Sequence, residues 1–378
     1  MIYLDNSATT KAYEQVIEKM ADMQRISFGN PSSLHHLGVQ AERELTAAKT
    51  EALKALGARD GQFICTAGGT EANNLAILGT MLSRIQRKPQ IITTKIEHPS
   101  VAETVLYLQS LGADCHFVGV DSTGQVDEEE FCSLLSPETA LVSIMTVNNE
   151  IGSVQDIKKL VRLTKKANPR ALFHTDAVQA LGKLPLKVQE TEVDLLSVSA
   201  HKIHGPKGVG GLYIKKGVHV KPILHGGGQE SGLRSGTQNA PGIAGFGVAL
   251  SLMQTQLSAT LSKMTELKEA LIQGLAAMPD CRIVTPEHSA PHIVCAVFPS
   301  FKSETLLHAF EARGLYVSSG SACSSNKPGL SPTLSALGCS RKEIDGAIRF
   351  SLGTQNTMED ITEALSIIKE ETALLCRA

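Results

Sequence analysis

The chain has 378 residues, a length that fits two or three domains or one large α/β unit. Lys and Arg total 36 and Asp and Glu total 38, so the formal net charge of −2 argues against a protein built around a strongly basic nucleic-acid surface. No apolar run reaches the roughly 18 residues of a membrane span, and the first residues lack the basic stretch and apolar core of a signal peptide. We therefore predict a cytoplasmic protein with no membrane partner and no direct nucleic-acid partner.

Short β-rich apolar runs alternate with amphipathic helical patterns over the first two thirds of the chain. Strands are predicted at 62–66, 90–94, 140–145, 171–174 and 194–198, with one of the intervening helices at 154–167. This alternation is typical of a parallel or mixed sheet with helices on both faces. In such sheets ligands bind at the carboxyl ends of the strands.

The pattern changes near residue 250. A long helix is predicted at 240–277, followed by a strand at 292–299, a helix at 303–313, a Gly/Ser-rich loop and a final helix at 357–375. We predict an α/β protein with a large domain at 15–250 and a smaller α+β domain formed by 1–14 and 251–378. The Gly/Ser-rich loop at 318–328 belongs to the smaller domain.

The segment that begins at Gly68-Gly69-Thr70 is the first candidate for a ligand site. It follows a predicted strand, and the amino terminus of the next helix has free N–H groups that bind phosphate readily. A tight turn followed by a helix cap is the alternative interpretation.

Two further candidates follow neighbouring predicted strands. Asp176 and Gln179 come after the strand at 171–174, and Lys202 comes after the strand at 194–198. An Asp in this position is most often a turn or cap residue, and most lysines are solvated. However, an ammonium at the end of an apolar strand has its pKa lowered, which suits Schiff-base chemistry. Pyridoxal phosphate (PLP) also needs a carboxylate facing its ring nitrogen, so both side chains could hold one cofactor.

His201 and His204 have the spacing of a metal pair on a helix, but the Gly205-Pro206 break and the lack of a third nearby ligand make a metal site a weak hypothesis. None of the eight cysteines forms a Cys-x-x-Cys pair, and we predict no resident metal.

The last candidates lie near the carboxyl terminus. Small and polar residues surround Cys323, so this thiol is predicted to be exposed and able to ionise, although a tolerated surface cysteine is equally compatible with the composition. Arg349 stands inside an apolar strand-like segment. Its guanidinium group fits a substrate carboxylate in a bidentate manner, and an internal salt bridge is the competing explanation.

These segments together resemble the cysteine desulfurases of the NifS/IscS type, in the class V aminotransferase branch of fold-type I PLP enzymes. The similarity extends over nearly the whole chain. It is carried by the motifs Tyr3-Leu4-Asp5-Asn6-Ser7-Ala8-Thr9-Thr10, Phe28-Gly29-Asn30-Pro31-Ser32-Ser33, Glu97-His98, Val147-Asn148-Asn149-Glu150-Ile151-Gly152, His225-Gly226-Gly227-Gly228-Gln229-Glu230, Arg234-Ser235-Gly236-Thr237 and Ile348-Arg349-Phe350-Ser351-Leu352-Gly353. One departure is Ser199-Ala200-His201-Lys202, where many relatives have Gly before the His.

The resemblance implies a fold-type I PLP-dependent transferase and a role for each matching residue. Lys202 would form the Schiff base, Asp176 would face the ring nitrogen, and Gln179 would bind the ring hydroxyl. His98 would stack on the pyridine ring and help to move protons. Asn149 and Arg349 would hold the substrate carboxylate, with Asn149 also near the cofactor, and Cys323 would accept the sulfur. The phosphate would be bound by Gly69, Thr70, Ser199 and His201, with Thr237 reaching the phosphate of the neighbouring subunit in a homodimer.

The implied reaction converts L-cysteine to L-alanine and leaves a persulfide on Cys323. The resemblance implies a sulfur-acceptor protein as partner. Longer relatives carry a tail that helps dock an iron–sulfur scaffold, and the chain ends at Ala378, so a scaffold and a tRNA-thiolation protein both remain open as acceptors. With a scaffold, Cys323 could also ligate a cluster transiently.

Three other classes of function are alternatives. A selenocysteine lyase or a class V aminotransferase would use the same scaffold and cofactor. A non-catalytic sulfur or metal carrier would use Cys323 and nearby histidines but leaves Lys202, Asp176 and Gly69-Thr70 unexplained. A nicotinamide dehydrogenase lacks a convincing strand–GxGxxG–helix unit.

Overall fold

The computed structural model describes residues 1–319 and 330–375, and Cys323 therefore lies outside the described residues. The helices of this part are α1 (Glu14–Arg25), α2 (His36–Ala55), α3 (Gly69–Met81), α4 (Pro99–Ser110), α5 (Glu128–Leu134), α6 (Ile157–Ala167), α7 (Val188–Thr191), α8 (Ala240–Ala276), α9 (Ser303–Ala312), α10 (Pro332–Ala336), α11 (Arg341–Asp345) and α12 (Met358–Leu374). The strands are β1 (Ile2–Tyr3), β2 (Gln62–Thr66), β3 (Gln90–Thr94), β4 (Asp114–Val118), β5 (Thr139–Ser143), β6 (Leu172–Asp176), β7 (Leu195–Ser199), β8 (Gly210–Ile214), β9 (Arg282–Ile283), β10 (Ile293–Val297), β11 (Leu315–Tyr316), β12 (Ser318–Ser319) and β13 (Ala347–Ser351).

A seven-stranded sheet in the order β2-β8-β7-β6-β5-β3-β4 forms the centre of the larger half of the molecule. Strand β8 is antiparallel to both β2 and β7, and the other neighbouring strands are parallel. The predicted α/β fold with a mostly parallel sheet is therefore confirmed. The parallel strands β5, β6 and β7 bring their carboxyl ends to one edge of the sheet, and this edge carries the polar side chains described below.

Both faces of this sheet are covered. Along β2, Phe63 and Cys65 pack in the core that includes α1 and α2, whereas Ile64 packs in the opposite core with Ala72 and Leu75 of α3. Successive side chains of a strand point to opposite faces, so a strand with apolar residues on both sides is buried between two helical layers. This explains why the strands appear in the sequence as continuous apolar runs.

Strand β8 was not predicted from the sequence, because it begins with Gly210 and Gly211 and glycines weaken a strand pattern. The structure gives a reason for one of them. A Cβ atom built on Gly211 would lie 2.0 Å from Cζ of Phe63, which belongs to the neighbouring strand β2. The Phe63 ring thus occupies the space that a side chain at residue 211 would need.

The carboxyl-terminal part forms a second core around an antiparallel sheet in the order β12-β13-β10-β9. Strand β1 pairs in parallel with β11, and Ile2 and Leu4 are buried in this second core. The amino terminus thus packs with the carboxyl-terminal part of the chain, which supports its predicted place in the smaller domain.

Helix α8 contributes to both cores, with Ile243 and Phe246 in the first and Leu267 and Leu271 in the second. Its 37 residues correspond to a length of about 55 Å. The predicted domain boundary at residue 250 falls inside this continuous helix, and we propose that α8 links the two domains. Within the described ranges, the helices lack the combined length and apolar character that crossing a membrane requires.

Candidate active site

A cavity of about 290 Å³ lies where the carboxyl ends of β6 and β7 meet the amino terminus of α3 and strand β13. Of the site residues that were predicted from the sequence and that the structure describes, all except Thr237 line this cavity. They are Gly69, Thr70, His98, Asn149, Asp176, Gln179, Ser199, His201, Lys202 and Arg349. Residues more than 270 positions apart in the chain therefore surround one space.

Lys202 ends a 3-10 helical turn, Ala200–Lys202, that directly follows β7. Its Nζ donates a hydrogen bond to the backbone carbonyl oxygen of Ser7 and another, 2.8 Å long, to that of Ala8. Ser7 and Ala8 also line the cavity. The sequence reasoning did not identify these two contacts, because a backbone carbonyl is present at every residue and gives no sequence signal.

Asp176 is the last residue of β6 and is buried. Its carboxylate accepts a 2.9 Å hydrogen bond from the backbone N–H of Val178 and a 2.7 Å bond from Nδ2 of Asn73. Asn73 lies on α3 and is only 1% exposed. These two donors fix the orientation of the carboxyl group at the end of β6.

His98 precedes α4, and its Nδ1 accepts a 3.1 Å hydrogen bond from the backbone N–H of Ser100. Because an amide can only donate, Nδ1 carries no proton and the neutral ring has its proton on Nε2. Burial lowers the pKa of His98, and the positive charge of Lys202 lowers it further, whereas the charge of Asp176 raises it. Asn73 Nδ2 also donates to Oγ of Ser100 at 2.8 Å. Asn73 therefore contacts both Asp176 and Ser100, the residue whose backbone N–H binds His98.

The part of the cavity lined by Gly69, Thr70, Ser199 and His201 can accept a phosphate group. The first-turn N–H groups of α3, beginning at Gly69, have no partner within the helix. A Cβ atom on Gly69 would lie 2.8 Å from Cγ2 of Val178, so the backbone of α3 can approach Val178 this closely only with a glycine here. Oγ of Ser199 is buried and has no hydrogen-bond partner among the described residues. Burial, with the charges of Lys202 and Lys207, lowers the pKa of His201 to about 4.

Arg349, on β13, is 5% exposed and forms three hydrogen bonds. They reach the carbonyl oxygen of Asn149 at 2.9 Å, Oδ1 of Asp5 at 3.1 Å and Oγ of Ser318 at 3.1 Å. Its Nε is buried and finds no partner in the part of the chain that the structure describes. The internal ion pair expected as one interpretation is present, between Arg349 and Asp5. The role of Arg349 toward a substrate carboxylate stays a prediction.

Thr237 is exposed and is not among the residues that line the cavity. Its predicted role toward a neighbouring subunit stays a prediction, as does the role of Cys323. The polar residues that the sequence reasoning missed are Asp5, Ser7, Asn73 and Ser100. The described residues contain no group of three or more His, Cys, Asp or Glu side chains that could hold a metal ion.

These features fit PLP. The Lys202 amine and the Asp176 carboxyl group lie at the ends of the neighbouring parallel strands β7 and β6. The amino terminus of α3 and the unpartnered hydroxyl of Ser199 line the same cavity. The fold and the site thus define a PLP-dependent enzyme of the α/β type.

The chain belongs to the aminotransferase class-V family, whose model matches residues 2–364. The protein named cysteine desulfurase IscS from Methanosarcina thermophila is 39% identical over 370 residues, which cover 98% of this chain and 91% of that protein. A solved structure described as a NifS-like protein has a TM-score of 0.94 and 40% identity and covers 99% of this chain and 100% of its own. A structure described as SspA in complex with cysteine has a TM-score of 0.83 and 31% identity, covering 94% of this chain and 100% of its own. The predicted resemblance, fold and cofactor class are confirmed.

Proposed function

We propose that this chain is a PLP-dependent cysteine desulfurase, which converts L-cysteine to L-alanine and transfers the sulfur to Cys323 as a persulfide. One observation carries the proposal: Lys202, Asp176 and Arg349 line the same cavity. The names of the relatives and the neighbour that binds cysteine support this substrate. They do not favour the alternatives of a selenocysteine lyase or an aminotransferase.

Each end of the cavity has a distinct role toward the cofactor. Lys202 would bind PLP covalently, Asp176 would pair with the ring nitrogen, Gln179 would bind the ring hydroxyl, and His98 would stack on the ring. The phosphate would be held by Gly69, Thr70, Ser199 and His201. When bound, PLP supplies an electron sink for the electron pair left at the α-carbon of the substrate.

Arg349 and Asn149 would hold the substrate carboxylate. The unpartnered Nε of Arg349 is buried, and a buried donor without an acceptor is costly. A carboxylate oxygen would satisfy this donor and fix the α-carbon in one place. Asn149 is 8% exposed and lines the same cavity, and its backbone oxygen already orients the guanidinium group.

Lys202 and His98 would move the protons. Nδ1 of His98 is occupied by the Ser100 amide, so His98 in this state has an Nε2–H to donate and no free lone pair. We therefore assign removal of the α-proton to the Lys202 amine. We assign donation of a proton to the forming product to the Nε2–H group of His98.

The sulfur transfer balances without an external oxidant. The Cys323 thiolate attacks Sγ of the substrate, an S–S bond forms, and the Cβ–Sγ bond breaks. The electron pair of the broken bond stays with Cβ, which is reduced and then protonated. One L-cysteine and one enzyme thiol thus give one L-alanine and one enzyme persulfide. The attack requires an approach of roughly 3–3.5 Å between the two sulfur atoms.

The substitution Cys323→Ser tests the proposal. The variant should keep the visible absorbance of bound PLP but lose persulfide formation and catalytic alanine release from L-cysteine. Cys132→Ser is a matched control, because Cys132 is an exposed thiol on α5 and should be dispensable. Full desulfuration by Cys323→Ser would remove this thiol from the mechanism. Assays with selenocysteine, and with a keto acid added, separate the two related activities.

The proposal includes cytoplasmic location, a homodimer and delivery of sulfur to a protein that builds iron–sulfur clusters or thiolates tRNA. The dimer is what the family resemblance implies, with Thr237 reaching the phosphate of the neighbouring subunit; Thr237 is exposed, as that role requires. Mixing the protein with sulfur-labelled cysteine and each acceptor type should move the label from Cys323 to the true acceptor. Sedimentation of the holoenzyme tests the dimer, and a monomer with full activity would contradict it.

A further inference from the structure

Gln179 is contacted from outside the cavity by a buried histidine that has no role in the mechanism above. Nε2 of His292 lies 3.2 Å from Oε1 of Gln179, and His292 is 0% exposed. His292 immediately precedes β10 of the carboxyl-terminal sheet, whereas Gln179 follows β6 of the central sheet. The other ring nitrogen, Nδ1, is buried and has no partner among the described residues.

The contact fixes the proton of the His292 ring. Burial lowers the pKa of His292 well below its usual value, and the charges of Lys183, Lys268, Arg349 and Lys202 lower it further. The ring is therefore neutral and carries one proton. An amide oxygen can only accept, so the proton is on Nε2 and is donated to Gln179.

The same contact fixes the orientation of the Gln179 amide. With Oε1 accepting from His292, the NH₂ group lies on the other side, where Nε2 donates to the backbone oxygen of Ser7 at 3.1 Å. The amide NH₂ has two hydrogens, and Ser7 uses one of them. Since Gln179 lines the cavity, the second N–H is available to a group bound there.

We propose that His292 is a positioning residue that keeps the donor side of the Gln179 amide toward the cavity and hence toward the ring hydroxyl of PLP. This inference rests on the proposed PLP site. Without the His292 donor, the bond to the Ser7 oxygen is the one described contact that still opposes rotation of the amide. Rotation would exchange the amide oxygen with its nitrogen. An oxygen would then face the ring oxygen of the cofactor, which repels it instead of binding it.

The test uses the visible absorption band of the PLP-loaded protein. A hydrogen bond donated to the ring oxygen stabilises its anionic form and lowers the pH at which the band changes. His292→Leu should raise that pH by about half a unit to one unit, the equivalent of one hydrogen bond. His292→Gln can still donate from an amide nitrogen and should remain close to the wild type. His292→Phe lacks a donor but keeps a ring, and it replaces the Leu variant if that variant does not fold.

A double-mutant cycle separates positioning from a general structural role. If His292 acts through Gln179, His292→Leu should shift the band in the wild type but add nothing in a Gln179→Leu background. A shift of equal size in both backgrounds, or no shift in a folded His292→Leu or His292→Phe variant, would overturn the inference. Alanine release by the wild-type protein is measured in the same preparation. Its absence would refute the desulfurase proposal and leave the band shift as a separate result.

Discussion

Replacing Arg349 by Met examines the proposed substrate specificity directly. The substitution keeps an unbranched apolar chain in the buried strand β13 but removes the guanidinium group. We expect kcat/KM for L-cysteine to fall, because the substrate carboxylate loses its charged donor. We expect kcat/KM for cysteamine, which is cysteine without the carboxylate, to change by no more than about twofold.

The magnitude follows from the contacts of the guanidinium group. Three of its donors are used by Asn149, Asp5 and Ser318, and Nε is the buried donor without a partner. One or two charged hydrogen bonds to a carboxylate contribute about 1.5–3 kcal/mol. This corresponds to a loss of about 10- to 150-fold in kcat/KM for cysteine.

The loss of the ion pair with Asp5 needs a control. Asp5 is 19% exposed in its side chain, and in Arg349→Met its carboxylate remains without its cationic partner. The double variant Arg349→Met/Asp5→Asn removes that charge. It should show the same ratio of cysteine to cysteamine activity as the single variant, measured as alanine and ethylamine release. Equal losses for both substrates would refute the assignment of Arg349 to the carboxylate.

Three shorter predictions concern the cofactor end of the site and its surroundings. Borohydride should no longer fix PLP to the chain in Lys202→Ala; fixation in that variant would assign the bond to another lysine. Asn73→Ala leaves Asp176 without a 2.7 Å hydrogen bond. It should lower the free energy of unfolding, measured by urea titration, by about 1–3 kcal/mol and weaken PLP binding. Unchanged values would show that the bond is dispensable. Burial raises the pKa of Glu97 to about 8 from its usual 4.5. The native state thus favours the protonated form, and stability present below pH 4.5 is lost as the pH rises toward 8. Glu97→Gln should escape this loss, and parallel stability–pH curves for the two proteins would contradict it.

Several strands could be predicted from the sequence because a buried strand is a short run of apolar residues, which is visible in the local composition. The sequence prediction for β2 and β3 has the same bounds as the structure. The edge strand β4 was missed because Asp114 and His116 interrupt its apolar pattern. The run predicted at 140–145 ends earlier in the structure, at Ser143, since the backbone N–H of Met145 donates to the buried carboxyl group of Glu97 rather than to a neighbouring strand.

Residue type and local position were sufficient to nominate Lys202, Asp176 and Arg349, because a lysine or carboxylate after a buried strand and an arginine within one are unusual and chemically specific. The sequence alone did not identify the residues that hold them. Ser7 acts through its carbonyl oxygen, Asp5 contacts Arg349 across 344 positions, and His292 meets Gln179 across 113. Local patterns encode the burial and turn preferences of each segment. Which polar atoms meet, and therefore which way an amide or a guanidinium group is turned, depends on how distant segments pack, and that is decided only by the tertiary structure.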